Sequence, residues 1–161
     1  MARQETKTVF DRAEYDRRLR RTKERMDAAG IQVLLVVDPA NMNYLTGYDG
    51  WSFYVHQGVI VSLDRDEPFW FGRKQDSNGA RLTTYLRDDS IYGYPDEYVQ
   101  SRYTHTMVYV AGMLNELGLA DRHLGVEMDN YWFSARMLLT LQRELPGTRI
   151  LDANNLVNWV K

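Results

Sequence analysis

The residues best suited to chemistry gather in one stretch, Asn41 to Gly58. It carries Tyr48, Trp51, Phe53 and Tyr54 with Asp49 and His56 among them, punctuated by Gly47, Gly50 and Gly58. Neither helical nor strand periodicity accounts for all of these positions, so the stretch reads as a loop built for contact. Stacked aromatic faces attract a cation or an amidinium-like ring by about 0.5 to 2 kcal/mol per contact. His56 or Asp49 beside them would add a hydrogen bond or a proton-transfer group. The alternative is that these rings fill a domain interface or the small core of a hairpin, and the loop alone does not decide between the two. Arg73, in Gly72-Arg73-Lys74-Gln75-Asp76, stands where a bidentate guanidinium would hold a substrate carboxylate, or pair locally with Asp76. A second aromatic group, Tyr92, Tyr94, Tyr98 and Tyr103, reads as interface packing.

Other chemistries find no support. The three histidines, His56, His105 and His123, are too far apart in sequence to form a helical pair of metal ligands, and the His-Glu-x-x-His, Gly-x-Ser-x-Gly and phosphate-binding glycine motifs are absent. With no cysteine there is no disulfide and no thiolate ligand or nucleophile. Glu127 and Asp129, with Asp121 and Asp152, form a conceivable carboxylate cluster, but a strand-end role for Glu127 and a helix-capping role for Asp129 explain them without a metal. The basic group Arg17, Arg18, Arg20, Arg21, Lys23 and Arg25 is interrupted by acids and fits a solvated helix face better than a nucleic-acid stripe. No apolar run approaches the roughly 20 residues a membrane helix needs, and residues 1–10 lack a signal-peptide core. The expectation is a soluble, cytoplasmic chain with no nucleic-acid or membrane partner.

The elements that must position these residues follow in order. Asp11-Arg12-Ala13-Glu14 predicts a capping box. Tyr15, Leu19, Thr22, Met26 and Ala29 then make the apolar stripe of a helix ended by Gly30. Ile31 to Val37, β-branched and leucine residues but for Gln32, is expected to be a central strand. Asp38-Pro39 starts a short helix over 40–46, stopped by Gly47. Residues 58–63 and 68–72 predict an antiparallel hairpin around Asp64-Arg65-Asp66-Glu67. A helix is expected over 76–85, a strand over 90–94, a helix over 104–117 and a strand over 123–127. Asp129 or Asn130 is expected to cap a helix through Leu145. A last strand at 149–151 precedes a helix capped by Asp152 and running into Lys161. The fold class is α/β, a three-layer sandwich with a mixed β-sheet including one antiparallel hairpin and helices on both faces. With 161 residues this is one domain, residues 11–161, behind an extended or disordered lead at 1–10. Its last residues, Asn158-Trp159-Val160-Lys161, are expected to lie at a domain boundary.

Asn43-Tyr44-Leu45-Thr46-Gly47, placed behind a helix–glycine–strand unit that ends in Asp38-Pro39, resembles the amino-terminal domain of the creatinase/prolidase family, over Phe10 to Lys161. Residues 47–57, Gly72 to Asp76, Tyr94 to Gln100, Gly125 to Tyr131 and Leu156 to Trp159 are most similar to family members that hydrolyse a cyclic amidine ring; Xaa-Pro peptidases and creatinase share the fold. The resemblance implies a following "pita-bread" catalytic domain, absent from this chain, that carries the catalytic groups and, where one is used, a divalent metal. By this resemblance the chain alone is inactive, holds no catalytic residue and no cofactor, and caps the active site of a partner subunit in a homodimer. Tyr48, Asp49, Trp51, Tyr54, His56 and Arg73 are then the residues expected to meet a small zwitterionic substrate. A self-sufficient binding or dimerisation module is the alternative of a different class.

Overall fold

A computed structural model describes residues 8–161. Most of the lead expected at residues 1–10 lies outside them, but Phe10 packs edge-on against Tyr15, with the Arg18 guanidinium 4.2 Å above its ring.

Helix α1 (Arg12–Ala28) starts at Asp11, whose carboxylate accepts the Glu14 N–H at 2.9 Å. Instead of completing the predicted capping box, the Glu14 side chain takes bonds of 2.7 to 2.9 Å from Arg17 and Arg18. Those two guanidiniums, Arg17 first, hold the Glu14 carboxyl down at about 2. Tyr15, Leu19, Thr22 and Met26 form the buried stripe, while Ala29 is exposed as the helix ends; Gly30 adopts φ 69° just beyond. Of the basic group on this helix, Arg17 and Arg18 pair with Glu14, Arg20 with Glu24, and Lys23 donates to the Arg65 carbonyl.

Strand β1 (Val33–Val36) is wholly buried and central. Asp38 caps α2 (Pro39–Thr46) by accepting the Asn41 N–H at 3.0 Å, and Gly47 closes it at φ 81°. Strands β2 (Gly58–Ser62) and β3 (Phe69–Arg73) form the predicted hairpin. After α3 (Ser77–Thr83), β4 (Ile91–Tyr94) lies parallel to β3. Helix α4 (Thr106–Glu116), β5 (Leu124–Val126), α5 (Ala135–Glu144) and β6 (Ile150–Asp152) complete the chain.

The sheet order is β4-β3-β2-β1-β5-β6, and only β2 runs against the rest. Alternation along β1 divides the core into two. Val33 and Leu35 join Met107, Val110, Met137 and Leu141 of α4 and α5, whereas Leu34 and Val36 join Leu19, Met26, Met42, Leu45 and Ala80 of α1, α2 and α3. Helices therefore cover both faces, as the three-layer expectation requires.

Two expected helices differ. Residues 129–133 are turns, and α5 is capped by Ser134, which accepts the Met137 N–H at 3.3 Å. Asn130 is drawn into the turn, since its oxygen accepts the Trp132 N–H at 3.1 Å while its amide donates to Asp38 at 3.2 Å. Ser134 thus stands as the cap in place of the expected Asp129 or Asn130. Residues 154–160 form successive turns rather than a helix, because Asn155 takes the left-handed φ of 60°. Asp152 opens the first of these by accepting the Asn154 N–H at 2.8 Å.

Candidate functional site

Because every strand except β2 points one way, the carboxyl ends of β1, β3, β4 and β5 meet the amino end of β2 at one edge of the sheet. Ligands of open α/β sheets gather at that edge. The aromatic loop leaves α2 there and re-enters at Gly58. Its entry is set by Thr46, whose hydroxyl donates to the Met42 carbonyl at 2.7 Å and accepts the Tyr48 N–H at 3.2 Å. Gly47 is obligatory on two grounds: its positive φ, and contacts that would place a Cβ 2.9 Å from the Tyr15 hydroxyl and 3.0 Å from the Thr83 carbonyl.

Tyr48 turns inward, and its hydroxyl donates to Gln57 at 2.9 Å, tying the two ends of the loop together. Burial raises its pKa. The middle is braced by the Trp132 indole, which donates to the Ser52 carbonyl at 3.2 Å, and the far end by the Tyr94 hydroxyl, which donates to the His56 carbonyl. The rings of Trp51, Phe53 and Tyr54 remain 57%, 77% and 58% exposed, with Trp51 and Phe53 edge to face at 4.5 Å. Asp49 is exposed, its backbone N–H held by Thr83.

His56 faces His105, the residue that caps α4, with ring centroids 5.0 Å apart. The Met107 N–H donates to His105 Nδ1 at 3.1 Å, so that nitrogen carries no proton and Nε2 does. Burial, then the charges of His56, Arg136 and Arg143, lower the His105 pKa to about 4; burial lowers that of His56 as well. Both rings are thus neutral near pH 7. Behind them Tyr94, Tyr98 and Tyr109 pack edge to face at 5.7 to 6.3 Å, which gives the second aromatic group an internal role, whereas Tyr103 is fully exposed.

Arg73 leaves the end of β3 and forms a bidentate pair with Asp96, at 2.8 and 2.9 Å, rather than with Asp76. The pair raises the arginine pKa and lowers that of the aspartate. Glu127, at the end of β5, is fully buried. One of its oxygens accepts the N–H groups of Val37 and Asp38 at 2.7 and 2.9 Å, and the other the Asn41 amide at 2.8 Å. Asn41 donates also to Asn158 at 2.8 Å, so this carboxylate joins β1, α2, β5 and the last turns of the chain. Among the described residues no group of three or more histidine or carboxylate side chains is placed to hold a metal ion.

The family model for the creatinase/prolidase N-terminal domain matches residues 18–160. The chain belongs to this family. Its relatives include an ectoine hydrolase from Halomonas elongata, 50% identical over 94% of this chain, and an uncharacterized hydrolase/peptidase from Sinorhizobium fredii, 47% identical over 94% of it. The chain spans 38% and 39% of the lengths of those two proteins. Among solved structures, a creatinase-type domain of a dipeptidase from Streptococcus thermophilus covers 89% of this chain and 98% of that one, with TM-score 0.71 and 19% identity. An Xaa-Pro aminopeptidase from Streptococcus pyogenes gives TM-score 0.68 and 22% identity over 92% and 98%. These two likenesses establish the fold.

Of the six residues expected at the site of this creatinase/prolidase N-terminal domain, Asp49, Trp51, Tyr54 and His56 lie on the loop surface or its wall. Tyr48 anchors the loop from below, and Arg73 is engaged by Asp96. The sequence reading missed His105, Trp132 and Arg136. A signal for His105 was available, since a histidine just before a helix is able to cap it, but nothing local ties it to His56.

Proposed function

We propose that this domain is the amino-terminal part of an ectoine hydrolase, and that its aromatic loop closes over the active site of a neighbouring subunit. The 50% identity to the Halomonas elongata ectoine hydrolase over 94% of the chain carries this reading. The exposed rings of Trp51, Phe53 and Tyr54, fixed on a braced loop, support the capping role, because apolar surface held out by structure is contact surface. Ectoine is a cyclic amidine with a carboxylate, and aromatic faces suit its delocalised cation. Closing such rings over it would exclude water and orient the ring.

The reaction is addition of water to the amidine carbon with opening of the ring. The groups that activate that water, with a divalent metal where one is used, are assigned to the domain beyond Lys161. The enzyme is proposed to be a cytoplasmic homodimer in which this chain contributes binding and no catalytic residue.

The test is hydrolysis of ectoine, a proline dipeptide and creatine, by this chain and by the chain with its natural carboxy-terminal extension, with and without divalent metal. Ectoine turnover by the extended form alone is expected. Cleavage of the dipeptide or of creatine in place of ectoine would overturn the substrate, and activity of the short chain would overturn the assignment of the catalytic groups to another domain. Trp51→Ala in the extended form is expected to lower turnover or affinity for ectoine.

A further inference from the structure

Beneath the aromatic loop, between it and the amino ends of α4 and α5, lies a cavity of about 270 Å³. Its walls include Tyr54, His56, Tyr98, Ser101, His105 and Arg136, and among the described residues no carboxylate lines it. We propose that this cavity binds the carboxylate group of a small monoanionic ligand.

The donor inventory carries the inference. His105 Nδ1 is spent on the Met107 N–H, so its only free capacity is the Nε2–H, a donor. The Ser101 hydroxyl oxygen already accepts the N–H groups of Tyr103 and Thr104 at 3.2 and 3.3 Å, which leaves its proton as the group able to make a new bond. Arg136, on the exposed rim, offers only donors. Three groups that donate and none that is acidic surround one small space, and an anion satisfies them all.

The same inventory selects among ligands. A metal ion needs several lone-pair ligands, and with His105 presenting a proton and no carboxylate in the described lining, His56 alone offers a ring nitrogen. A phosphate dianion calls for more charge than the single guanidinium supplies, and His105 gains a proton only by giving up the cap of α4. One formal positive charge and neutral donors match a carboxylate. Gln100, at the cavity wall, takes φ 47°, a left-handed conformation that a non-glycine residue keeps only where its surroundings impose it. The volume, at the small end for ligand pockets, admits a compact acid.

The site needs no partner subunit, so this chain suffices for the test and the outcome is independent of the proposed hydrolase. The chain, labelled with ¹⁵N-histidine, is titrated with sodium acetate, sodium phosphate and sodium chloride at constant ionic strength while the ring nitrogens of His105 and His56 are followed. A saturating shift with acetate is expected, with phosphate and chloride weaker. Arg136→Gln, an exposed change on α5 that leaves the fold intact, is expected to weaken acetate binding about tenfold, the value of a charge-assisted hydrogen bond. A shift that stays linear in acetate, tighter binding of phosphate than of acetate, or an Arg136→Gln titration equal to wild type would overturn the proposal.

Discussion

Replacing Glu127 by alanine tests whether the buried carboxylate holds the carboxyl end of the sheet together. The substitution orphans the N–H groups of Val37 and Asp38, which share one Glu127 oxygen, while the Asn41 amide keeps its bond to Asn158. A buried donor left without an acceptor costs about 1 to 3 kcal/mol. Val37 is buried, but Asp38 is half-exposed, so water recovers part of the second loss. A destabilisation of about 3 kcal/mol follows. Glu127→Gln behaves differently. Its amide oxygen is able to take both backbone bonds, and its NH₂ then meets Asn41, whose own buried oxygen has no protein partner among the described residues. A flip of the Asn41 amide gives that NH₂ an acceptor, and the exposed Asn158 amide must turn with it to keep its own bond to Asn41, so this variant is expected to lose about 1 kcal/mol. The wild-type carboxyl is pushed up by burial, against the opposing pull of its donors. The folded state therefore holds this proton to a higher pH than the unfolded chain does. Its contribution is present below the unfolded value of 4.5 and is lost as pH rises through the raised folded value. The stability difference between wild type and Glu127→Gln should accordingly move in favour of the variant over that window. Urea unfolding followed by tryptophan fluorescence measures both effects. A Glu127→Ala loss below about 1 kcal/mol, or a glutamine variant as unstable as the alanine one, would refute the assigned role of this carboxylate.

His105 has the opposite sign: its pKa lies lower in the folded state, at about 4, so stability should fall as pH drops from 6.5 toward that value. His105→Asn, which keeps a cap-competent side chain, should flatten that stretch of the curve when unfolding is measured at successive pH values. Gly47→Ala should destabilise by about 1 to 2 kcal/mol through the left-handed backbone alone, and further through contact with Tyr15 and Thr83, as read by thermal unfolding. Trp51→Ala should leave the stability of this chain within about 0.5 kcal/mol, since the ring is largely exposed. A larger loss in urea unfolding would make that ring structural rather than a contact group.

The parts of the fold legible in the sequence are those fixed by neighbours along the chain. Asp11, Asp38 and Gly47 mark helix ends through bonds and dihedrals that span only a few residues, and the apolar run at Val33–Val36 needs both faces covered wherever it lies. Residues 129–134 failed because Asp129, Asn130 and Ser134 are all able to cap a helix, and the choice is made by a tertiary bond from Asn130 to Asp38. Arg73 shows the same limit. Its local partner was Asp76, but the parallel pairing of β3 with β4 sets it beside Tyr94 and so within reach of Asp96. The aromatic loop was visible from composition alone. That Tyr48 would turn inward and Trp51 outward was not, because the turn depends on a bond across the loop to Gln57 and on Trp132, which arrives from another part of the chain.

The bracing of that loop bears on how it works. Flexible loops that close over a ligand lose conformational entropy as they do so, and that loss weakens binding. Here the two ends are tied by Tyr48 to Gln57, the middle by Trp132 to Ser52 and the far end by Tyr94 to the His56 carbonyl. Trp51 and Phe53 are thereby held against each other in water, where nothing in the domain rewards their exposure. The scaffold has met the ordering cost before any ligand or subunit arrives. His56 and His105, neutral near pH 7, stand just behind the same loop as fixed groups whose hydrogen-bonding roles do not switch with small changes in pH. A surface prepared in this way favours recognition by docking over recognition by folding, so the geometry of the loop should be the same in this chain alone and in the proposed assembly.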